Sequence, residues 1–164
     1  MIFDKTFGIK EYNGIEMNRR TSVKIIGQVK NKYLMLLTNN GNLEFPGGKI
    51  EKDESRKAAV KRELLEETGY RVSGSANYLG KIISRREDRF DSKKLYEATM
   101  YFYKCQVVHQ TDQLILSESE MKFDYLPILL KKEAIINKNK TDGLTPTYEN
   151  VLSQITTYLF NSVD

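Results

Sequence analysis

The stretch of this chain with the least conformational freedom is "SRKAAVKRELLEET", residues 55–68. It consists of good helix formers, Asp53 or Ser55 stands where an N-cap belongs, and Gly69 stands where a C′ glycine closes a helix. Extended segments surround it. "TSVKIIGQV" (21–29) and "KYLMLLT" (32–38) read as strands joined by the turn "KNK", and "LEFPGG" leaves a short strand for a Pro-Gly-Gly loop. "YRVSGSANYLGKIISR" (70–85) and "KLYEATMYFYKCQVVH" (94–109) carry the Tyr, Phe, Val and Ile content of two more strands. After "FDYLPILL" the chain turns helical, and "TYENVLSQITTYLF" (147–160) reads as a closing amphipathic helix. A helix set early among strands, with helix again at the end, predicts an α+β fold or an α/β/α sandwich, not a repeating βαβ chain.

At 164 residues, 40% hydrophobic and 29% charged, residues 1–164 read as one globular domain with a real core. No apolar run reaches the ~18–20 residues of a membrane span, and "MIFDKTFGIKEYNG" lacks a signal-peptide core. Cys105 stands alone, which excludes an internal disulfide framework and a cysteine zinc cluster and makes a reducing cytoplasm the expected compartment. The net charge of +4 favours anionic ligands only weakly. The basic stretch "KKEAIINKNK" (131–140) has no aromatic residue to stack bases and reads as a solvated surface, so a nucleic-acid partner is not expected.

The helix concentrates three glutamates, Glu63, Glu66 and Glu67, although like charges at i,i+4 destabilise a helix. At about 100° per residue from Ala58, Glu66 falls near 80°, Glu63 near 140° and Glu67 near 180°. The carboxylates thus share an arc of about 100° that contains the small Ala59, while Val60, Leu64 and Leu65 are expected on the packed side. Oxygen ligands around a small hollow suit a hard divalent cation. Arg62, at about 40°, can restrain a carboxylate by a bidentate hydrogen bond. A solvated charged face is the competing reading of the helix alone. "PGGK" upstream adds two residues that allow close backbone approach to a metal or a phosphate. The order G-x5-E-x7-R-E-L-x-E-E-x-G, from Gly48 through Glu54, Arg62, Glu63, Leu64, Glu66 and Glu67 to Gly69, arises by chance at a given start on the order of 10⁻⁸.

At these residues the chain resembles the Nudix hydrolases, whose box is G-x5-E-x7-R-E-U-x-E-E-x-G-U with U a bulky aliphatic. Only Tyr70 departs, aromatic where an aliphatic is usual. "LEFPGGK" (43–49) is similar to the lead-in of MutT-type members. The resemblance implies a Nudix-type α/β/α sandwich with a mixed β-sheet, and Mg²⁺-dependent (or Mn²⁺-dependent) cleavage of a small-molecule nucleotide substrate. It implies that Glu63, Glu66, Glu67 and the Gly48 carbonyl bind metal and that Arg62 and Glu54 orient the carboxylates. The general base is expected at Glu63, with Glu118 or Glu120 of "SESEMKF" (117–123) as the alternative, since some members draw it from a downstream loop. That loop also reads simply as a polar connection.

For the substrate, "LEFPGGK" and the compact length favour a MutT-like nucleoside triphosphate pyrophosphohydrolase releasing nucleoside monophosphate and pyrophosphate, an oxidised guanine nucleotide being one candidate. The chain has no proline between Pro46 and Pro127, where ADP-ribose-cleaving members usually carry one. Lys49 is expected to face a phosphate. Tyr148 could stack on a base and Asn150 bond its edge, against ordinary helix capping. "RREDRF" (85–90) reads as a charged loop over the site, Cys105 as core, and His109 as uninvolved. A non-catalytic nucleotide-binding module and a hydrolase acting on nucleotide sugars or RNA 5′ ends are the rival functions. The first has no reason to keep three glutamates, and the last should carry a stronger basic track.

Overall fold

The computed structural model describes residues 3–138 and 155–160. Tyr148 and Asn150 lie outside the described residues. Seven strands form one mixed sheet: β1 (Phe3–Gly8), β2 (Met17–Val29), β3 (Lys32–Leu37), β4 (Leu43–Glu44), β5 (Tyr70–Glu87), β6 (Leu95–His109) and β7 (Leu126–Leu130). Their order is β1-β5-β6-β2-β3-β4, with β7 pairing β3. The β1–β5 and β2–β6 pairs are parallel and the others antiparallel. The helices are α1 (Arg56–Thr68), α2 (Glu118–Phe123) and α3 (Lys132–Lys138), and residues 155–160 are helical. No described helix is long and apolar enough to cross a membrane.

Alternation along the strands sends side chains to two cores, one on each face of the sheet. Val23, Ile25, Leu34, Tyr103, Cys105 and Val107 pack under Ala59, Val60 and Leu64 of α1. Ile26, Met35, Phe102 and Ile82 pack on the opposite face against Ile135 of α3 and against Ile155, Leu159 and Phe160. The α/β/α sandwich expected from the sequence is therefore present. Ile135 also shows why "KKEAIINKNK" is more than a solvated surface: within it, α3 docks one apolar residue, 0% exposed, into the core.

Ser55 is the cap of α1, its Oγ accepting from the Ala58 N–H at 3.2 Å. Gly69 closes the helix at φ 70° and donates its N–H to the Leu65 carbonyl. A Cβ there would meet the Thr111 carbonyl oxygen. Val60 and Leu64 are buried on the packed side as expected, and Ala59 joins them there. Glu63 and Glu67 are buried together with Ala59, Val60 and Leu64, while Leu65 is half-buried. Glu63 and Glu67 border that packed side, with the backbone of the Pro-Gly-Gly turn against Glu63, while Glu66 stays half-buried.

Candidate active site

Three segments build the site: α1, the turn at residues 45–49, and the short helix α2. The turn is docked on β2, where Val23 N–H donates to the Gly48 carbonyl at 3.0 Å and Ile25 N–H to the Pro46 carbonyl at 2.8 Å. Gly47 is needed sterically, and Gly48 leaves the room that Glu63 fills. A Cβ on Gly47 would fall 2.2 Å from the Val23 carbonyl oxygen. One on Gly48 would fall 2.5 Å from each oxygen of Glu63, so the carboxylate of α1 rests directly on this backbone.

Arg62 spreads its guanidinium over four groups. It grips Glu54 with two bonds, Nε to Oε1 at 2.8 Å and Nη2 to Oε2 at 2.9 Å. It also donates to Glu63 Oε1 at 2.8 Å, Glu66 Oε2 at 3.0 Å and the Lys49 carbonyl at 3.1 Å. The bidentate partner is thus Glu54, whose carboxyl is held below its ordinary range by that pairing.

Glu67 is the most buried carboxylate of α1, and its Oε2 accepts the Gly47 N–H at 2.6 Å. Burial pushes its pKa up to about 7, opposed by the Lys24 charge and the Gly47 amide. Glu63 is pushed up by burial too, and Arg62 works against that.

Glu120 completes the cluster from a distant part of the chain. Carboxylate oxygens of Glu63, Glu67 and Glu120 lie within 4.8 Å of one another. Residues 110–117 bring it there by wrapping the end of α1: Gln110 and Thr111 N–H donate to the Gly69 carbonyl and Ile115 N–H to the Glu66 carbonyl. A capping box then fixes α2, Ser117 Oγ accepting from Glu120 N–H and Glu120 Oε2 accepting from Ser117 N–H. Of the two downstream candidates only Glu120 reaches the cluster, and Glu118 is exposed. Glu66 stays outside it, beside Arg62.

Glu67 and Glu120 line a cavity of about 390 Å³. Lys24, Ser22 and Arg20 enter it from alternate positions of β2, and Arg86 and Arg89 from "RREDRF". Phe45, Met100, Phe102 and Ile155 give it apolar wall, and Thr38, Asn40, Asn42 and Tyr125 polar wall. Lys49 is exposed and does not line it. Lys24, which the sequence reading passed over, does. The clue was a lysine inside an apolar strand at a position that alternation turns inward. His109 sits at the end of β6, half-exposed beside Asp112. The Cys105 thiol is buried in the α1-side core and pushed up to about 11. Tyr70 packs edge-to-face on His109, so its departure from the box touches packing after the helix.

All donors in the cluster are hard oxygens, and burial disfavours the charge on two of them. That donor set fits a hard divalent cation, which relieves both the repulsion and the desolvation.

The NUDIX domain matches residues 18–138 of this chain. Among curated proteins the chain is similar to one of Bacillus subtilis (strain 168) described as "Putative 8-oxo-dGTP diphosphatase YtkD". The two are 34% identical over 124 residues, covering 67% of this chain and 78% of that one. Among solved structures, a mutator MutT protein from Bacillus halodurans superposes with a TM-score of 0.62 at 20% identity, covering 87% of this chain and 83% of its own. A NUDIX hydrolase from Nitrosomonas europaea gives 0.59 at 21%, covering 88% and 91%. At these identities the structural likenesses show a shared fold.

Proposed function

The chain belongs to the Nudix hydrolase family, and from that premise we propose that it is a Mg²⁺-dependent, MutT-like pyrophosphohydrolase converting a nucleoside triphosphate to nucleoside monophosphate and pyrophosphate. The observation that carries the reading is the convergence of Glu63, Glu67 and Glu120, the last two lining a cavity with cationic and apolar walls. The name of the Bacillus subtilis relative makes 8-oxo-dGTP the first substrate to try.

Glu63, Glu67 and Glu120 would hold the ion, with Glu66 and the Gly48 carbonyl at its margin. Bound there, a divalent cation neutralises phosphate charge and acidifies a water. The protein's own groups do the rest. Arg62, anchored on Glu54, fixes the rotamers of Glu63 and Glu66 before substrate arrives, so no ordering is left for the reaction itself. The Gly47 amide holds one oxygen of Glu67. Glu63 takes the proton of the attacking water, because Arg62 holds its Oε1 and leaves its Oε2 without a guanidinium partner. The apolar wall of Phe45, Met100 and Phe102 receives the nucleoside and excludes bulk water.

Assaying nucleoside triphosphates, 8-oxo-dGTP, ADP-ribose and nucleotide sugars with Mg²⁺ tests the proposal. Monophosphate and pyrophosphate should appear in equal amounts from a triphosphate. Preference for ADP-ribose, or release of orthophosphate alone, would overturn it.

A further inference from the structure

Lys24 interrupts the apolar run of β2. Val23 and Ile25 face α1, so Lys24 and Ile26 face the other side of the sheet. In register, Lys24 stands beside Phe102, which is 1% exposed. A lysine stem can lie along such a surface, but its ammonium requires partners. It finds two backbone carbonyls of the Pro-Gly-Gly turn, Phe45 and Gly47, each at 3.1 Å. Gly47 in turn donates its N–H to Glu67. A single residue of the turn is thus held between this cation and the most buried carboxylate of the acidic cluster. An ammonium has three N–H bonds, and two are used on the turn. The third is left for the cavity, which Lys24 lines together with Gly47, Gly48, Glu67 and Glu120.

We infer that Lys24 is a substrate-binding residue of this hydrolase, a built-in cation that balances the acidic cluster and receives a phosphate oxygen of the nucleotide. The inference rests on the nucleotide-hydrolase reading of the site. It explains why a charge is carried on the inner face of a core strand, where a hydrophobic residue would pack better. It also assigns the phosphate contact to a side chain that faces the cavity, in place of Lys49, whose side chain is exposed.

A fixed positive charge has two effects of opposite sign: it opposes a divalent cation and attracts a polyphosphate. Calorimetry on the parent, Lys24→Met and Lys24→Arg reads both. Mn²⁺ is titrated alone, and GTP and inorganic pyrophosphate are titrated in EDTA, where no hydrolysis occurs. Lys24→Met should bind Mn²⁺ about three- to tenfold tighter, the size of one unit charge acting on a divalent ion across several ångströms of near-aqueous dielectric. The same variant should bind GTP and pyrophosphate at least about fivefold weaker by the same reasoning. Lys24→Arg should stay near the parent in all three. Mn²⁺ affinity that fails to rise in Lys24→Met would show that Lys24 does not balance the acidic cluster, and unchanged phosphate affinity would remove Lys24 from the phosphate path. Either result overturns the inference. Should Lys24→Met fail to fold, Lys24→Gln, neutral but polar, carries the same comparison. Turnover of the parent is measured alongside. Absent hydrolysis of every nucleotide would sink the proposed function, while the pyrophosphate titrations would still decide the role of Lys24.

Discussion

Replacing Glu67 with glutamine should abolish most turnover and yet stabilise the metal-free protein at pH 8. The side chain is 3% exposed, and burial raises its pKa from the ordinary 4.5 to about 7. Between those two values the folded protein holds a proton that the unfolded chain has released. The stability contributed by this group is therefore fully present below about pH 4.5 and lost as pH rises through about 7. Each pH unit of that gap is worth ~1.4 kcal/mol, which gives a total of about 3 kcal/mol. Glutamine is uncharged at every pH, nearly isosteric, and its Oε1 can still accept the Gly47 N–H. Urea unfolding in EDTA across pH 5 to 8 measures the difference by linear extrapolation. Near pH 5 the two proteins should be close in stability, with the variant ahead by a margin that grows toward about 3 kcal/mol at pH 8. Saturating Mg²⁺ should reverse the ranking, because it stabilises only the form that binds it. A margin that does not change with pH, or a variant less stable than the parent at pH 8 in EDTA, would refute a buried charge at Glu67.

Glu63→Gln, compared at saturating metal, should lower kcat by the ~10²–10⁴ of a lost general base, with much smaller losses at Glu118→Gln. A larger loss at Glu120→Gln than at Glu63→Gln, read in the same steady-state assay, would move the base to α2. Gly48→Ala should weaken Mn²⁺ binding and kcat together, since the new methyl meets both Glu63 oxygens at 2.5 Å. Calorimetry that finds parental metal affinity would show that the turn yields more easily than this geometry allows.

The α1 helix and its caps were readable because every signal for them is local: Ser55, Gly69 and the helix formers between. The box spacing made the glutamates readable for the same reason. That Glu66 would turn to Arg62 and leave its place in the cluster to Glu120 was not readable, because it depends on a segment some fifty residues further along the chain. β1 was missed because "FDKTFG" has little alternation and acquires its order from parallel pairing with β5, some eighty residues away. The capping box Ser117–Glu120 was legible as a motif and would have placed α2 where a polar loop was expected. Which of Glu118 and Glu120 enters the cluster depends on the 110–117 segment finding the end of α1, a tertiary event.

That β2 and β6 lie side by side and parallel, residues 17–28 against 95–106, has a consequence for when the acidic cluster can exist. Chain closure on that scale is an entropic cost met before the contacts repay it, so topologies dominated by such pairing fold slowly. Glu120 is held against Glu63 and Glu67 by residues 110–117, which follow β6 and bond to the end of α1. Glu63 and Glu67 share one helix turn, so the contact that depends on distant chain closure is the one with Glu120. If Glu120 joins the other two late, a cation held by all three should slow unfolding more than it speeds folding, which stopped-flow rates measured with and without Mg²⁺ would read.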